Sequence, residues 1–335
     1  MTMPLSKTKK INFEQDKLQI IPTMNSKMPI GNSAWIGTFQ LVWNDFMQEV
    51  TKGSVEFVDG NNETVDNLNK KEFTRNDIND NSYYINQGIV SPELKEEIEK
   101  GVKNKLNETS DILNQMDFSY NPLSILFYAM LKKEFQFIEK FEELEDDFFG
   151  DNENDFVEYF GIASDDNPNL YKNISVLFYE KDNFAVKLHT KTYDEIILYR
   201  TDDFKNFSEY FKDVNLKTAK YNGSREFDEE DYLKAPKFDF SVAASFSDVE
   251  NKVIKNTNNA MITKTLETIK FKMDECGVKL KSEAMLSIMI EGAPPEIEEY
   301  RSFEFDKSFV LFLMEKGKQV PYFAMRVVDA AKLNQ

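Results

Sequence analysis

Few residues in this chain could do chemistry. His189 is the only histidine and Cys276 the only cysteine. A lone imidazole lacks the partners that orient a catalytic base or a metal ligand, so His189 reads as a structural residue. One thiol allows no intrachain disulfide and no zinc site built on paired thiolates. Asp151, Glu153 and Asp155 alternate as calcium-loop ligands do, but Phe156 stands where that loop needs glycine. The sequence holds no G-x-S-x-G elbow, no phosphate loop and no Gly-rich dinucleotide fingerprint. With 59 Asp and Glu, acidic pairs are too common to single out as acid–base catalysts. The expectation is a protein that is not an enzyme, with no cofactor and no metal.

Composition sets the class. The 335 residues are 41% hydrophobic and 30% charged, enough for a sizeable globular core. The 29 Phe favour a core built on sheets. The net charge of −18 repels phosphate backbones and anionic membranes, so neither nucleic acid nor membrane is an expected partner. The longest apolar runs, 125–131 and 309–314, are too short to cross a bilayer. Residues 1–16 lack the apolar core of a signal peptide. A cytoplasmic protein is expected, or a secreted one whose leader has been trimmed. Several sequons, such as those at Asn62 and Asn173, read as chance matches in an Asn-rich chain.

Periodicity gives the elements. Residues 1–31 read as a poorly ordered arm. Trp35, Phe39, Val42, Trp43, Phe46 and Val50 share a helical face, predicting a helix over 35–50 capped by Asn32 or Ser33. Residues 82–87 read as extended. Ser91-Pro92 opens a helix to Leu106. Strands are expected over 124–137, 174–179, 184–189, 195–199 and 238–244, the pair 174–179 and 184–189 as a hairpin. Short helices are expected over 204–211 and 247–254, and the acidic block 142–155 as a solvated loop. From Leu266 onward the pattern is almost all strand, and 265–275, 303–314 and 320–329 should be buried in sheets. Phe309, Val310, Leu311, Phe312, Val327 and Val328 are the expected core.

The most informative pattern lies between Val278 and Ile290. Val278, Leu280, Ser282, Ala284, Leu286, Ile288 and Ile290 form one apolar or small set; the intervening residues are mostly polar or flexible. A period of two marks a half-buried strand. Before it stands Asp274-Glu275-Cys276-Gly277. After it come Ala293-Pro294-Pro295-Glu296, the run from Phe305 to Leu313, and Val320-Pro321-Tyr322-Phe323-Ala324-Met325-Arg326-Val327-Val328. This order resembles the C-terminal end of the serpins, the protease inhibitors that trap their targets with an exposed loop. Tyr232-Leu233-Lys234-Ala235-Pro236-Lys237-Phe238 resembles that family's Leu-Pro-Lys-Phe strand, and Phe127-Tyr128-Ala129-Met130 its central strand.

The resemblance implies an α+β fold with a large mixed β-sheet, a second sheet and an abridged N-terminal helical region. It implies one serpin-like domain over 32–335, with 275–297 as reactive loop. Glu275 and Gly277 would form the hinge, followed by Val278, Leu280, Ser282 and Ala284 as the residues that enter the sheet. The family's spacing puts the bait bond at Glu291-Gly292. The implied partner is a protease, one that cuts after Glu, and the implied state is a monomer. The chain departs from the inhibitory pattern at its hinge, where Val278, Lys279, Leu280 and Lys281 replace small residues. Bulky entrants cost about 1–3 kcal/mol each in a packed core, which motivates a second reading: a non-inhibitory serpin-fold binding or structural protein.

Overall fold

The computed structural model describes residues 17–150, 152–163, 167–280 and 301–334, with backbone alone for 152–155. The chain opens with β1 (Gln19–Ile20), β2 (Ser33–Ile36) and α1 (Thr38–Phe46), then α2 (Glu63–Leu68), β3 (Tyr83–Val90) and α3 (Pro92–Leu106). Seven strands follow: β4 (Asn121–Leu131), β5 (Lys133–Gln136), β6 (Glu142–Phe149), β7 (Asn152–Ile162), β8 (Ile174–Glu180), β9 (Asn183–His189) and β10 (Asp194–Arg200). After α4 (Phe207–Lys220) come β11 (Tyr232–Pro236), β12 (Phe238–Ala244), β13 (Glu267–Asp274), β14 (Gly277–Leu280), β15 (Ser302–Glu304), β16 (Phe309–Glu315) and β17 (Phe323–Val327).

The helix boundaries follow their caps. Ser91 accepts from Leu94 N with Pro92 in the first helical turn, as the sequence predicts for α3. Asn206 and Glu209 form a capping box, which starts α4 at Phe207 and carries it to Lys220, beyond the short helix expected over 204–211. The expected helix over 35–50 is two elements. Ser33–Ile36 is a strand paired with β17, and the helix starts only after Gly37. Asn32 caps nothing: its side chain donates to Asp329 O and accepts from Val328 N and Asp329 N.

The strands build an α+β fold of several sheets. A seven-stranded sheet runs β1-β2-β17-β16-β10-β9-β8; four-stranded sheets run β15-β11-β7-β6 and β12-β13-β14-β5; β3 and β4 form a ribbon. Every residue of β10 is buried, because this sheet is covered on both faces. Phe207 and Phe211 of α4 pack on Phe312. Phe238 stacks on Phe309, and Phe271 on Phe323, joining the sheet to β12 and β13. The expected C-terminal core is buried except for Val328, which is half-buried.

Three further expectations are corrected. Of the arm over 1–31, residues 17–31 are packed: β1 pairs with β2, and Leu18, Ile20, Ile21, Met24 and Met28 enter the main core. Residues 1–16 lie outside the described residues. The acidic block 142–155 forms β6 and the start of β7; antiparallel pairing satisfies the backbone while most carboxylates of β6 face water. Asp151 and the side chains of Glu153 and Asp155 lie outside the described residues. Residues 247–251 are a turn rather than a helix, with Asn251 in the left-handed region, and Val253 and Ile254 form isolated bridges to Met261 and Phe57. Two of the sequon asparagines have structural roles. Asn62 caps α2, and buried Asn173 exchanges hydrogen bonds with Glu139.

Two ionic contacts fasten β5 and β13 to their surroundings. The Lys133 ammonium on β5 bonds Glu315, lies 2.8 Å from Asp194, and sits over the Tyr322 ring. Asp194 and Glu315 are register partners on β10 and β16, and all four side chains are buried. At the end of β13, Glu275 bonds Lys237 at 2.8 Å and Lys140 at 3.3 Å. Burial opposes its charge, but the two lysines and a backbone N–H hold the Glu275 carboxyl down at about 2. Lys133→Met leaves two buried carboxylates without their cation, and should cost about 3–5 kcal/mol in urea unfolding. A loss under about 1 kcal/mol would contradict the buried-pair account. Glu275 contributes stability at and above the ordinary carboxylate range that is lost as pH falls from about 4.5 toward 2. Glu275→Gln should therefore remove about 2 kcal/mol at pH 7, and the difference from the parent should shrink on acidification.

Candidate functional site: a hinge strand and an open slot

β13 alternates Ile269, Phe271 and Met273 toward the core with Lys270 and Lys272 away from it. At its end the Asp274 carboxylate accepts from Cys276 N (3.0 Å) and Gly277 N (3.3 Å), closing a tight turn. The chain then re-enters the sheet. β14 pairs antiparallel with β13 (Asp274↔Gly277, Lys272↔Lys279) and with β5 (Gly277↔Gln136, Leu280↔Lys133). Val278 is 0% exposed and Leu280 4% exposed. Lys279 points outward and meets Glu134 across the pair at 3.1 Å. Gly277 has φ +157, and a Cβ there would collide with the Phe135 carbonyl. The close approach of β5, more than chain flexibility, requires glycine here.

The structure thus brings Glu275, Gly277, Val278 and Leu280 together at one point. The sequence does not choose between an inserted and an exposed state after this hinge. In the structure the chain turns back at Gly277, and residues 277–280 lie between β13 and β5. Ser282, Ala284, Glu291 and Gly292 lie outside the described residues.

Beyond Leu280 the two flanking strands stay apart. β13 pairs with β14 only over 272–274, so its edge from Glu267 to Phe271 has no strand partner among the described residues. Among the described residues β4 pairs with β3 alone. β5 and β13 both run antiparallel to β14, so they are parallel to each other. Between the facing edges lies a cavity of about 610 Å³. On the inner side it is lined by Phe39, Val42, Trp43 and Phe46 of α1, with Phe46 packed on Phe127 of β4. On the outer side residues 110–116 bridge the gap. Leu113 packs with Tyr128 and α3, while Asp111 bonds Lys270 at 3.0 Å and Gln115 O accepts from Lys264. Toward the start of β4 the inner face becomes bare, with Leu123 95% and Ile125 54% exposed.

One acidic residue lies on the apolar phase of β13. Glu267 is 5% exposed. Its Oε1 accepts from Thr38 Oγ1 (2.7 Å) and Phe39 N (3.1 Å), capping the start of α1, where Gly37 offers no side chain. Its Oε2 has no hydrogen-bond partner. Burial pushes the carboxyl up to about 7, against the smaller opposing pull of those two hydrogen bonds. Neither Glu267 nor Lys133 was expected from the sequence, although Glu267 sits in step with Ile269, Phe271 and Met273 and so carried a legible signal.

The remaining candidates have structural explanations. His189 Nε2 lies 2.8 Å from Ser175 Oγ, and burial lowers its pKa. Asp274, Glu275 and Cys276 cluster within 4.8 Å. Asp274 is spent on the turn and Glu275 on two lysines, so the group is not read as a metal site.

No family model matches this chain, and no curated protein matches it. Among solved structures it is similar to thyroxine-binding globulin in complex with thyroxine, at 12% identity and a TM-score of 0.43 over 71% of this chain and 65% of that one. Human thyroxine-binding globulin with thyroxine gives 13% and 0.43, over 71% and 64%. The matches thus span just under two thirds of those chains. Serpin48, a highly specific serpin of the insect Tenebrio molitor, gives 12% and 0.41 over 89% and 74%. Likeness at this level says nothing of activity. A sheet strand ending at Glu275 and a glycine turn at Gly277 are features that the residues' own resemblance to the serpins implies, and the fold is α+β with several sheets, as that resemblance also implies.

Proposed function

We propose that this protein works by strand insertion, as a serpin-like inhibitor of a serine or cysteine protease. The observation that supports this is the position of β14: four residues already lie between β13 and β5, and the slot continues beyond them between two edges with no strand partner among the described residues. Extending both registers, an inserting chain would set Ser282 against Ile269 and Leu131, and Ala284 against Glu267 and Ala129. Further along, Leu286, Ile288 and Ile290 would meet Phe127, Ile125 and Leu123. The apolar alternation of 278–290 matches the apolar inner face of β4 that it would cover. Cleavage at Glu291-Gly292 would free the segment to enter, and a protease acylated there would be carried with it. The bulk of Val278 and Leu280 is not an obstacle to the first step, since both are already seated.

A second reading, a binding or structural protein that does not inhibit, is favoured by the bridge over the slot. Residues 110–116 are tied to β13 through Asp111–Lys270 and to Lys264 through Gln115 O, and insertion must displace or pass beneath them.

Nicking at Glu291-Gly292 with a Glu-specific protease should raise the melting temperature by about 10 °C or more as the strained form relaxes. An SDS-stable complex with that protease should form alongside cleaved product. No rise and no complex would select the second reading. Gly277→Ala should drive β14 away from β5: amide exchange at residues 277–280 should lose its protection, and the thermal gain after nicking should develop at least roughly tenfold more slowly, in line with overpacking costs. Unchanged protection would show that the close approach to Phe135 does not control the hinge.

A further inference from the structure

We propose that Glu267 is a proton-operated latch on the slot. Protonated, it holds β13 against the start of α1 and keeps the slot at its observed width; ionised, it lets the two move apart and the slot widen. The opening is the same one through which the proposed strand insertion would proceed, so this deepens that reading, although the latch itself does not require insertion.

The geometry carries the inference. Glu267 begins β13, on the stretch whose slot-side edge lacks a strand partner. Its side chain is the hydrogen-bonded tie between β13 and α1, through Thr38 Oγ1 and Phe39 N. α1 supplies Phe39, Val42, Trp43 and Phe46 to the inner wall of the cavity. The tie is half complete. Oε1 receives two donors, and Oε2 is buried without any. A buried carboxylate short of donors is costly, whereas the neutral acid is far less so. Burial accordingly moves the group to about 7 from the ordinary 4.5.

No charge nearby competes for control. Only burial and the two α1 donors act on Glu267. Among the charged groups on the elements around it, each has its own engagement. Glu250 takes Ser245 and Thr265; Lys264 donates to Gln115 O; Lys270 pairs with Asp111; Lys132 pairs with Glu108; Asp45 of α1 pairs with Arg75. Its register partner on β12 is Ala244, which carries no charge.

Opening lets water reach the carboxyl and returns it toward 4.5. The open fraction is then flat below pH 4.5, rises about tenfold per pH unit up to about 7, and is flat above, an upper limit of roughly 300-fold in all.

Trp43 lines the slot, while the other tryptophan, Trp35, packs edge-on against Phe73 and is not among the lining residues. Acrylamide quenching of tryptophan fluorescence in the intact protein therefore reads slot opening. Quenching should climb between pH 5 and 7 and plateau above. Glu267→Gln keeps the shape without the proton, and should hold the low acid value from pH 5 to 9. Thr38→Val removes a donor that favours the carboxylate, and should move the midpoint to higher pH. If Glu267→Gln reproduces the parent profile, or Thr38→Val leaves the midpoint in place, the latch is overturned. The two proposals fail separately. If nicking never raises the melting temperature while the quenching profile holds, insertion fails and the latch stands. If nicking raises it equally fast at pH 5 and pH 8, insertion stands and the latch falls.

Discussion

Two parallel strands whose facing edges have no strand partner among the described residues govern this molecule. An unpaired row of N–H and C=O groups is a template for another strand, and native folds normally cover or pair it. Here, among the described residues, β13 and β4 have no strand partner across a largely apolar gap, and β14 fills its first part. The same edges explain why β14 re-enters the sheet at all. Once Asp274 has closed the turn, seating Val278 and Leu280 exchanges exposed apolar surface for two ladders of hydrogen bonds.

The slot is held rigidly at one end and loosely at the other. At the β14 end, the Lys133 cluster ties β5 to the seven-stranded sheet, and Glu275 ties the turn to Lys237 at the start of β12. At the other end the polar ties are one half-satisfied carboxyl, that of Glu267 reaching α1, and one bridge through Asp111 and Gln115 O. Local opening free energy follows such differences in contact and satisfaction. Change in this sheet is therefore concentrated at residues 267–271 and 121–131 rather than spread through the fold.

Much of the fold was legible in the sequence where periodicity and capping agreed. Ser91-Pro92 gave α3, the runs around 174–189 gave a hairpin, and the Phe-rich C-terminal runs gave the buried strands. Failures came where one signal masked another. The helical spacing from Trp35 to Val50 hid a strand, since Ala34, Trp35 and Ile36 are buried by pairing with β17, a neighbour almost three hundred positions away. Acidity hid β6, whose carboxylates largely sit on the face that water covers. At the site, the alternation after Gly277 was readable. Which strands flank it was not, because register between distant segments is set by edges that no local pattern reports.

The seven-stranded sheet is not assembled in the order its strands are made. β16 and β17 sit at its middle, between β2 and β10, and Asn32 reaches Asp329 across 297 positions of sequence. A ribosome releasing this chain delivers β1, β2 and the β8–β10 meander long before the two strands that join them. Such long-range pairing is slow, and its precursors expose strand edges meanwhile. The central layer therefore closes only once β16 and β17 have been made, and the edges of β2 and β10 stay exposed until then.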